Sequence, residues 1–389
     1  MFAPPPNPAP DSHAHLVEKL QLKVAQNPHR SATELAEMVR GEAGLISDRE
    51  VLALLKTLTE DTHGLGPLTG LLGPDTTDIV VNGGAIWVDS GAGLTAVTGL
   101  HLTEEDTHKL AVRLAHAAGT RLDSAHPCAD GRLVVNPGPL TIRLHAMLAP
   151  PSASGTLISL RVLRQATANL TTLRQSGSFD AEMEGILRRI VAARRSFLIT
   201  GGTGTGKTTL LAALLAQARD ERILVIEDTA ELAPDHPHLV TVTARHANAE
   251  GTGEITLSYL LQQALRMRPD RIVVGEIRGR EVVDLLATLN TGHEGGAGTI
   301  HANSITEVPA RIAALAALGG LDTRAVHLQM DAAIDIVIAL SRTTAADGTT
   351  LRRISQLGTI AGGEVTVIWD EHPRPGFAEF VASLPQGQP

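Results

Sequence analysis

Residues 196–211 read Ser-Phe-Leu-Ile-Thr-Gly-Gly-Thr-Gly-Thr-Gly-Lys-Thr-Thr-Leu-Leu, which is the order strand, glycine turn, helix. Phe197 to Ile199 form the short apolar run of a buried strand, and Leu210, Leu211, Leu214 and Leu215 recur at helical spacing. Between them, Gly201, Gly206, Lys207 and Thr208 meet the pattern G-x-x-x-x-G-K-[ST] of a phosphate-binding loop. Each residue type has a physical reason to be there. Glycines at 201, 202, 204 and 206 let backbone N–H groups converge on phosphate oxygens, and a helix N-terminus adds a favourable dipole. Lys207 brings a compact positive charge to β- and γ-phosphates, and the Thr208 hydroxyl suits Mg²⁺. Thr203, Thr205 and Thr209 complete the cradle. The stretch predicts binding of a nucleoside triphosphate with Mg²⁺.

Lysine usage points the same way. Of the lysines at 19, 23, 56, 109 and 207, only Lys207 lies beyond residue 109, in a region otherwise supplied with arginine. That is the position where the loop needs a point charge rather than a planar fork.

The 389 residues are 43% hydrophobic, enough for two or three domains with real cores. Aromatic residues make up 2% and the net charge is −9, which disfavours stacking on single strands and a duplex-binding surface. A nucleic-acid partner is therefore not expected. One cysteine, Cys128, excludes an intrachain disulfide framework and any multi-cysteine zinc module, and fits a reduced, cytosolic setting. No apolar run reaches the ~18 to 20 residues of a spanning helix, and the opening Met-Phe-Ala-Pro-Pro-Pro lacks signal-peptide features. Any membrane association is expected to run through partners.

Residues 1–12 are proline-rich and read as a disordered tail, and 13–62 as a helical appendage carrying Leu16, Leu20, Val24, Leu35, Val39, Val51, Leu54, Leu55 and Leu58. Residues 63–165 change to short β-branched runs broken by turns, with one helix pattern from Glu104 to Ala118, and predict an α+β domain on an antiparallel sheet. Residues 166–180 read as a linker. From 181 to 389 a helix (181–194) precedes the loop, and strands at 222–227, 271–276 and 298–301 alternate with helices near 256–268, 281–290 and 307–318. Such alternation implies a mainly parallel sheet covered by helices, with ligands at the carboxyl ends of its strands.

Polar residues stand where that rule places chemistry: Glu227 and Asp228, Glu276, and His301 each follow or end a strand. One carboxylate can orient Mg²⁺ through water, as Asp228 or Glu276 would, and a second can position the attacking water in line with the γ-phosphoryl group. Either Glu276 or Glu227 fits that second role. His301 reads as a γ-phosphate sensor, and its spacing from His293 does not suggest zinc.

Four segments, in order and spacing, resemble the Walker A, Asp box, Walker B and His box of the type II/type IV secretion ATPases: Gly201–Thr209 (GGTGTGKTT), Ile226–Leu232 (IEDTAEL), Arg266–Gly279 (RMRPDRIVVGEIRG) and Thr291–Ser304 (TGHEGGAGTIHANS). The likeness is closest to the tight-adherence pilus and conjugal-transfer branch, and it covers roughly residues 65–345. It implies an α/β fold with a RecA-like P-loop C-domain and mainly parallel sheet, a smaller α+β N-domain and an N-terminal helical segment. It also implies Mg²⁺-dependent ATP hydrolysis by a homohexamer in the cytoplasm, at the inner face of the membrane. There the ring would work with an inner-membrane platform protein to power pilus assembly, secretion or conjugal transfer. Arg143, Arg161 and Arg245 fall where the family carries nucleotide-contacting arginines. The tetracysteine zinc subdomain of many type II motors is missing, and Glu276 stands without a magnesium-binding Asp in Walker B.

No lysine is followed by x-Asp, so the guanine-reading N-K-x-D motif is excluded, and a transporter-type Leu-Ser-Gly-Gly signature is absent. A RecA-like helicase or DNA-dependent motor is the alternative, disfavoured by the acidic charge and two tryptophans.

Overall fold

A computed structural model describes residues 64–91, 93–135, 140–163, 165–245, 247, 252–292, 294–344 and 350–385. The expected tail and helical appendage, and His293, lie outside the described residues. The chain divides into two compact units, one ending at Arg164 and the other beginning at Gln165.

The first unit holds β1 (Asp78–Asn82), β2 (Ala85–Asp89), β3 (Leu94–Ala96), α1 (Glu104–Ala117), β4 (Cys128–Val135), β5 (Leu140–Met147) and β6 (Leu157–Leu163). Its strands form one six-stranded sheet in the order β3-β2-β1-β6-β5-β4. Every pairing is antiparallel. The alternation read in the sequence becomes two faces. Ile79, Val81, Ile142, Leu144, Ala146, Ile158 and Leu160 pack with Leu110, Ala111 and Leu114 of α1. α1 starts where it does because the Thr103 side chain accepts from Asp106 N–H, and Glu104, Glu105 and Asp106 fill the positive first turn.

The second unit contains α2 (Leu170–Gln175), α3 (Ala181–Ala192), β7 (Phe197–Thr200), α4 (Lys207–Leu215), β8 (Ile223–Glu227), β9 (Leu239–Thr243), α5 (Leu257–Ala264) and β10 (Arg271–Ile277). It continues with α6 (Glu281–Leu289), β11 (Ala297–Ile300), α7 (Val308–Ala317), α8 (Thr323–Ala333), β12 (Ile336–Thr344), β13 (Thr350–Ala361), β14 (Glu364–Asp370), β15 (His372–Pro373) and α9 (Phe377–Ser383). The segment read as a linker thus contains the short helix α2.

These strands make a nine-stranded mixed sheet, β15-β14-β13-β12-β7-β11-β10-β8-β9. From β12 to β9 neighbours run parallel, whereas β13, β14 and β15 add an antiparallel extension at one edge. β7, β8 and β11 are buried along their whole length, as strands covered on both faces must be. Alternate residues serve opposite cores. Phe197, Ile199, Val225 and Val273 pack with α3 and α4, while Leu198, Leu224, Ile226, Ile272 and Val274 face α5, α6 and α7.

Candidate functional site

β7 ends at Thr200, and the glycine loop turns directly into α4. Gly201, Gly204 and Gly206 have φ of 144°, 73° and 94°, a left-handed series that side-chain-bearing residues resist. Space forbids a side chain as well: a Cβ on Gly201 would stand 2.5 Å from the Leu340 carbonyl oxygen. The Thr205 hydroxyl is spent on the loop itself, donating to Gly202 O at 2.9 Å. α4 is capped by Gly206 with no side-chain hydrogen bond, unlike α3, whose Asp180 carboxylate accepts from Met183 N–H. The first-turn N–H groups of α4 are thereby left for an anion. Thr208 and Thr209 lie in that turn and are half-buried, and Thr203 is exposed at the loop's outer side.

Lys207 folds back over the loop, with Nζ donating to the carbonyl oxygens of Gly201 (2.9 Å) and Gly202 (3.0 Å). Burial pushes its pKa below the ordinary 10.5, the Glu276 carboxylate opposes that shift, and Arg278 adds to it. Loop cation and strand-end acid therefore share one electrostatic site.

Glu276 owes its position to an irregularity in β10. The parallel register with β11 pairs Val274 with Gly298 and then Ile277 with Ile300, so the ladder shifts across Gly275 and Glu276. Such a break re-aims a side chain next to a site. Glu276 is one-third exposed and ion-paired with Arg278. Burial works against the Arg278 charge, but Glu276, with Asp228 and Glu231, outweighs it and raises its pKa.

Glu227 has a different environment. It is 4% exposed, and its Oε1 accepts from the backbone N–H groups of Glu231 (3.2 Å) and Leu232 (3.1 Å). A Cβ on Gly275 would lie 2.6 Å from its Cγ, so that glycine makes room for it. Its carboxylate closes the turn after β8. Asp228 and Arg245 line a cleft of about 430 Å³ at the carboxyl ends of β8 and β10, with Arg278, Arg280 and Glu281. Arg245 Nε donates to Gly253 O at 2.6 Å. His301 is exposed just beyond β11, and Thr200 fastens the next residue, exchanging hydrogen bonds of 3.1 Å with Ala302.

Hard oxygen donors at Thr208, Glu276 and Asp228 suit Mg²⁺, which is held by one or two carboxylates, substrate phosphates and water. Among the described residues no cluster of three or more His, Cys, Asp or Glu could hold a metal ion by itself.

Arg143 and Arg161 belong to the first unit, where they lie directly opposite each other on β5 and β6. Arg132 follows across β4, and Arg161 Nε pairs with Asp78 at 2.9 Å, so a charged row crosses the sheet on its exposed face. The second unit thus carries Lys207 and the loop threonines, with Glu276 in electrostatic reach of Lys207 and Asp228 in reach of Arg278. Arg278 was not singled out from the sequence; it stands just past β10, two residues beyond Glu276, and pairs with it.

A glycine loop at a helix N-terminus, with acids at the ends of neighbouring parallel strands, defines a P-loop α/β protein. Comparison with known proteins narrows the class. The Type II/IV secretion system protein family matches residues 99–358. The "Putative conjugal transfer protein Rv3659c" of Mycobacterium tuberculosis (strain ATCC 25618 / H37Rv) is 50% identical over 346 residues, covering 87% of this chain and 97% of that one. Among solved structures, the Legionella pneumophila ATPase DotB aligns with a TM-score of 0.53 at 19% identity, over 74% of this chain and 77% of its own. The pilus retraction motor PilT with bound ADP aligns with a TM-score of 0.53 at 21% identity, over 79% and 82%. These two likenesses concern the fold. The chain belongs to the Type II/IV secretion system protein family.

Proposed function

We propose that this protein hydrolyses ATP with Mg²⁺ and, as a ring of identical subunits, drives a secretion or conjugal-transfer apparatus. The observation that carries the reading is Lys207, whose Nζ lies on the Gly201 and Gly202 carbonyl oxygens in a glycine loop that opens α4 without a side-chain cap. Relatives named for conjugal transfer and the family match support the apparatus. The strand order β12-β7-β11-β10-β8, with the loop after β7 and Glu276 on β10, supports a RecA-like assignment of the second unit.

In this reading the loop N–H groups and Lys207 bind the β- and γ-phosphates, and Lys207 exchanges its own loop carbonyls for phosphate oxygens. Bound Mg²⁺ supplies charge neutralisation to those phosphates. Thr208 and Asp228 hold the ion's side of the site, directly or through water. Glu276, one-third exposed, orients water toward the γ-phosphorus once Arg278 yields it. Glu227 keeps the turn beside it closed, and His301 senses the terminal phosphate. Arg143, Arg161 and Arg245 are further nucleotide contacts on this reading, supported by the family likeness alone. Alanine at any of the three should weaken ATP binding.

Among the described residues no helix is long and apolar enough to cross a membrane. We infer a cytoplasmic ring, a hexamer, held at the inner membrane by a platform protein. Phosphate release from ATP by purified protein, with and without Mg²⁺, tests the enzymatic reading, and light scattering of the ATP-bound protein tests the ring. Failure of wild-type protein to release phosphate in the presence of Mg²⁺ would defeat the first. A monomer mass under ATP would defeat the second.

A further inference from the structure

β12 runs parallel to β7 in a register that sets Ala339 against Thr200, the last residue of β7. Leu340 to Thr344 continue past that strand end alongside the glycine loop. β13 then returns antiparallel, with Arg352 directly across from Arg342. Residues opposite one another in such a ladder share a face. Both arginines reach the loop tip. Arg352 Nε donates to Gly204 O at 2.9 Å, and Arg342 Nη1 lies 3.0 Å from where a Cβ on Gly204 would be. The Arg352 Cδ passes Gly206 at 3.4 Å from its Cβ position.

β12 and β11 are the two neighbours of β7, and β10 lies beyond β11. The loop is therefore flanked by Glu276 and His301 on one side and by Arg342 and Arg352 on the other. On the first side the Glu276 carboxylate is already paired with Arg278. A nucleotide whose terminal phosphate meets Lys207 and Glu276 can run its remaining half toward the two guanidinium groups on the other side.

We propose that Arg342 and Arg352 hold the α-phosphate and nucleoside half of the bound nucleotide; this rests on the ATP reading of the loop. With Nε anchored on Gly204, the Nη groups of Arg352 are the donors that meet the ligand. A guanidinium can fork onto phosphate oxygens or lay its flat face on a purine.

The test measures binding of MgATP and of inorganic pyrophosphate, which has no α-phosphate or nucleoside, to the full chain. Arg352→Ala and Arg342→Ala are each expected to lose ATP affinity by about tenfold or more, the effect of one charge-assisted contact, with pyrophosphate affinity unchanged. Equal loss for both ligands would show that the arginines only brace the loop and would overturn the inference. Unchanged ATP affinity would overturn it too. If Arg352→Ala does not fold, Arg352→Gln and Arg342→Ala give the same reading. Wild-type protein that binds pyrophosphate but no ATP would defeat the ATP reading and the inference together. Wild-type ATP binding that survives both substitutions defeats the inference alone.

Discussion

Lys207 Nζ donates to the Gly201 carbonyl oxygen at 2.9 Å, so the cation that a phosphate would claim is held by the loop's own backbone. Burial is the main cause of its lowered pKa, since a low-dielectric setting disfavours the charged form. A phosphate chain beside it would favour the charged form again. Nucleotide binding should therefore raise the Lys207 pKa. With five lysines in the chain, NMR of ¹³Cε-labelled lysine resolves the one of interest. A resonance titrating below 10.5 without nucleotide and moving upward with it is expected, and one that ignores nucleotide would refute the contact.

Glu276 and Glu227 should separate by experiment. Glu276→Gln keeps the shape but not the basicity of a partly exposed side chain, so ATP affinity should persist while turnover falls by about 10²-fold or more. Glu227→Gln weakens two backbone hydrogen bonds in a buried turn, and should lower unfolding free energy by about 1 to 3 kcal/mol. Turnover assays with denaturant melts distinguish them. A turnover defect confined to Glu227→Gln would reverse the assignment.

How far the sequence carried depends on burial. β7 and β8 are covered on both faces, so Phe197 to Ile199 and Ile223 to Ile226 write continuous apolar runs that can be read without tertiary knowledge. α1, Glu104–Ala117, was legible as the helix pattern read from Glu104 to Ala118. The antiparallel extension was not. β13 reads Thr-Leu-Arg-Arg-Ile-Ser-Gln-Leu-Gly-Thr-Ile-Ala, with fully buried positions only at 354, 357 and 358, which gives no clean alternation. Strand-end acids were visible as residue types, but their directions were not. Glu227 turns onto its own following backbone, which a strand pattern cannot show. The Arg352–Gly204 contact joins residues 148 positions apart and leaves no local trace.

At the opposite end of the sheet, fully buried Arg271 binds Glu221 through Nη2 (3.0 Å) and Nε (3.1 Å), and its Nη1 donates to Gly295 O at 2.7 Å. Arg271→Met should destabilise the protein by about 3 kcal/mol, because it removes the buried partner of Glu221, leaves that carboxylate with Arg194 alone and strips Gly295 O of its donor. Burial alone would raise the Glu221 pKa, but Arg271 and Arg194 outweigh it and hold it below 4.5. The stabilisation is thus present above the ordinary carboxylate pKa and is lost as pH falls through the depressed folded value. Urea melts at about pH 7 and about pH 3 should show the difference between wild type and variant shrinking at the lower pH. A difference independent of pH would contradict the assignment.

The most direct measurement is steady-state phosphate release from MgATP by wild-type protein and by Lys207→Ala, with folding checked by circular dichroism. Losing one charge-assisted phosphate contact removes about 1.5 to 3 kcal/mol, so wild-type turnover with at least a tenfold fall in the variant is predicted. A folded Lys207→Ala protein turning over within about twofold of wild type, well short of the effect of one such contact, would contradict the account.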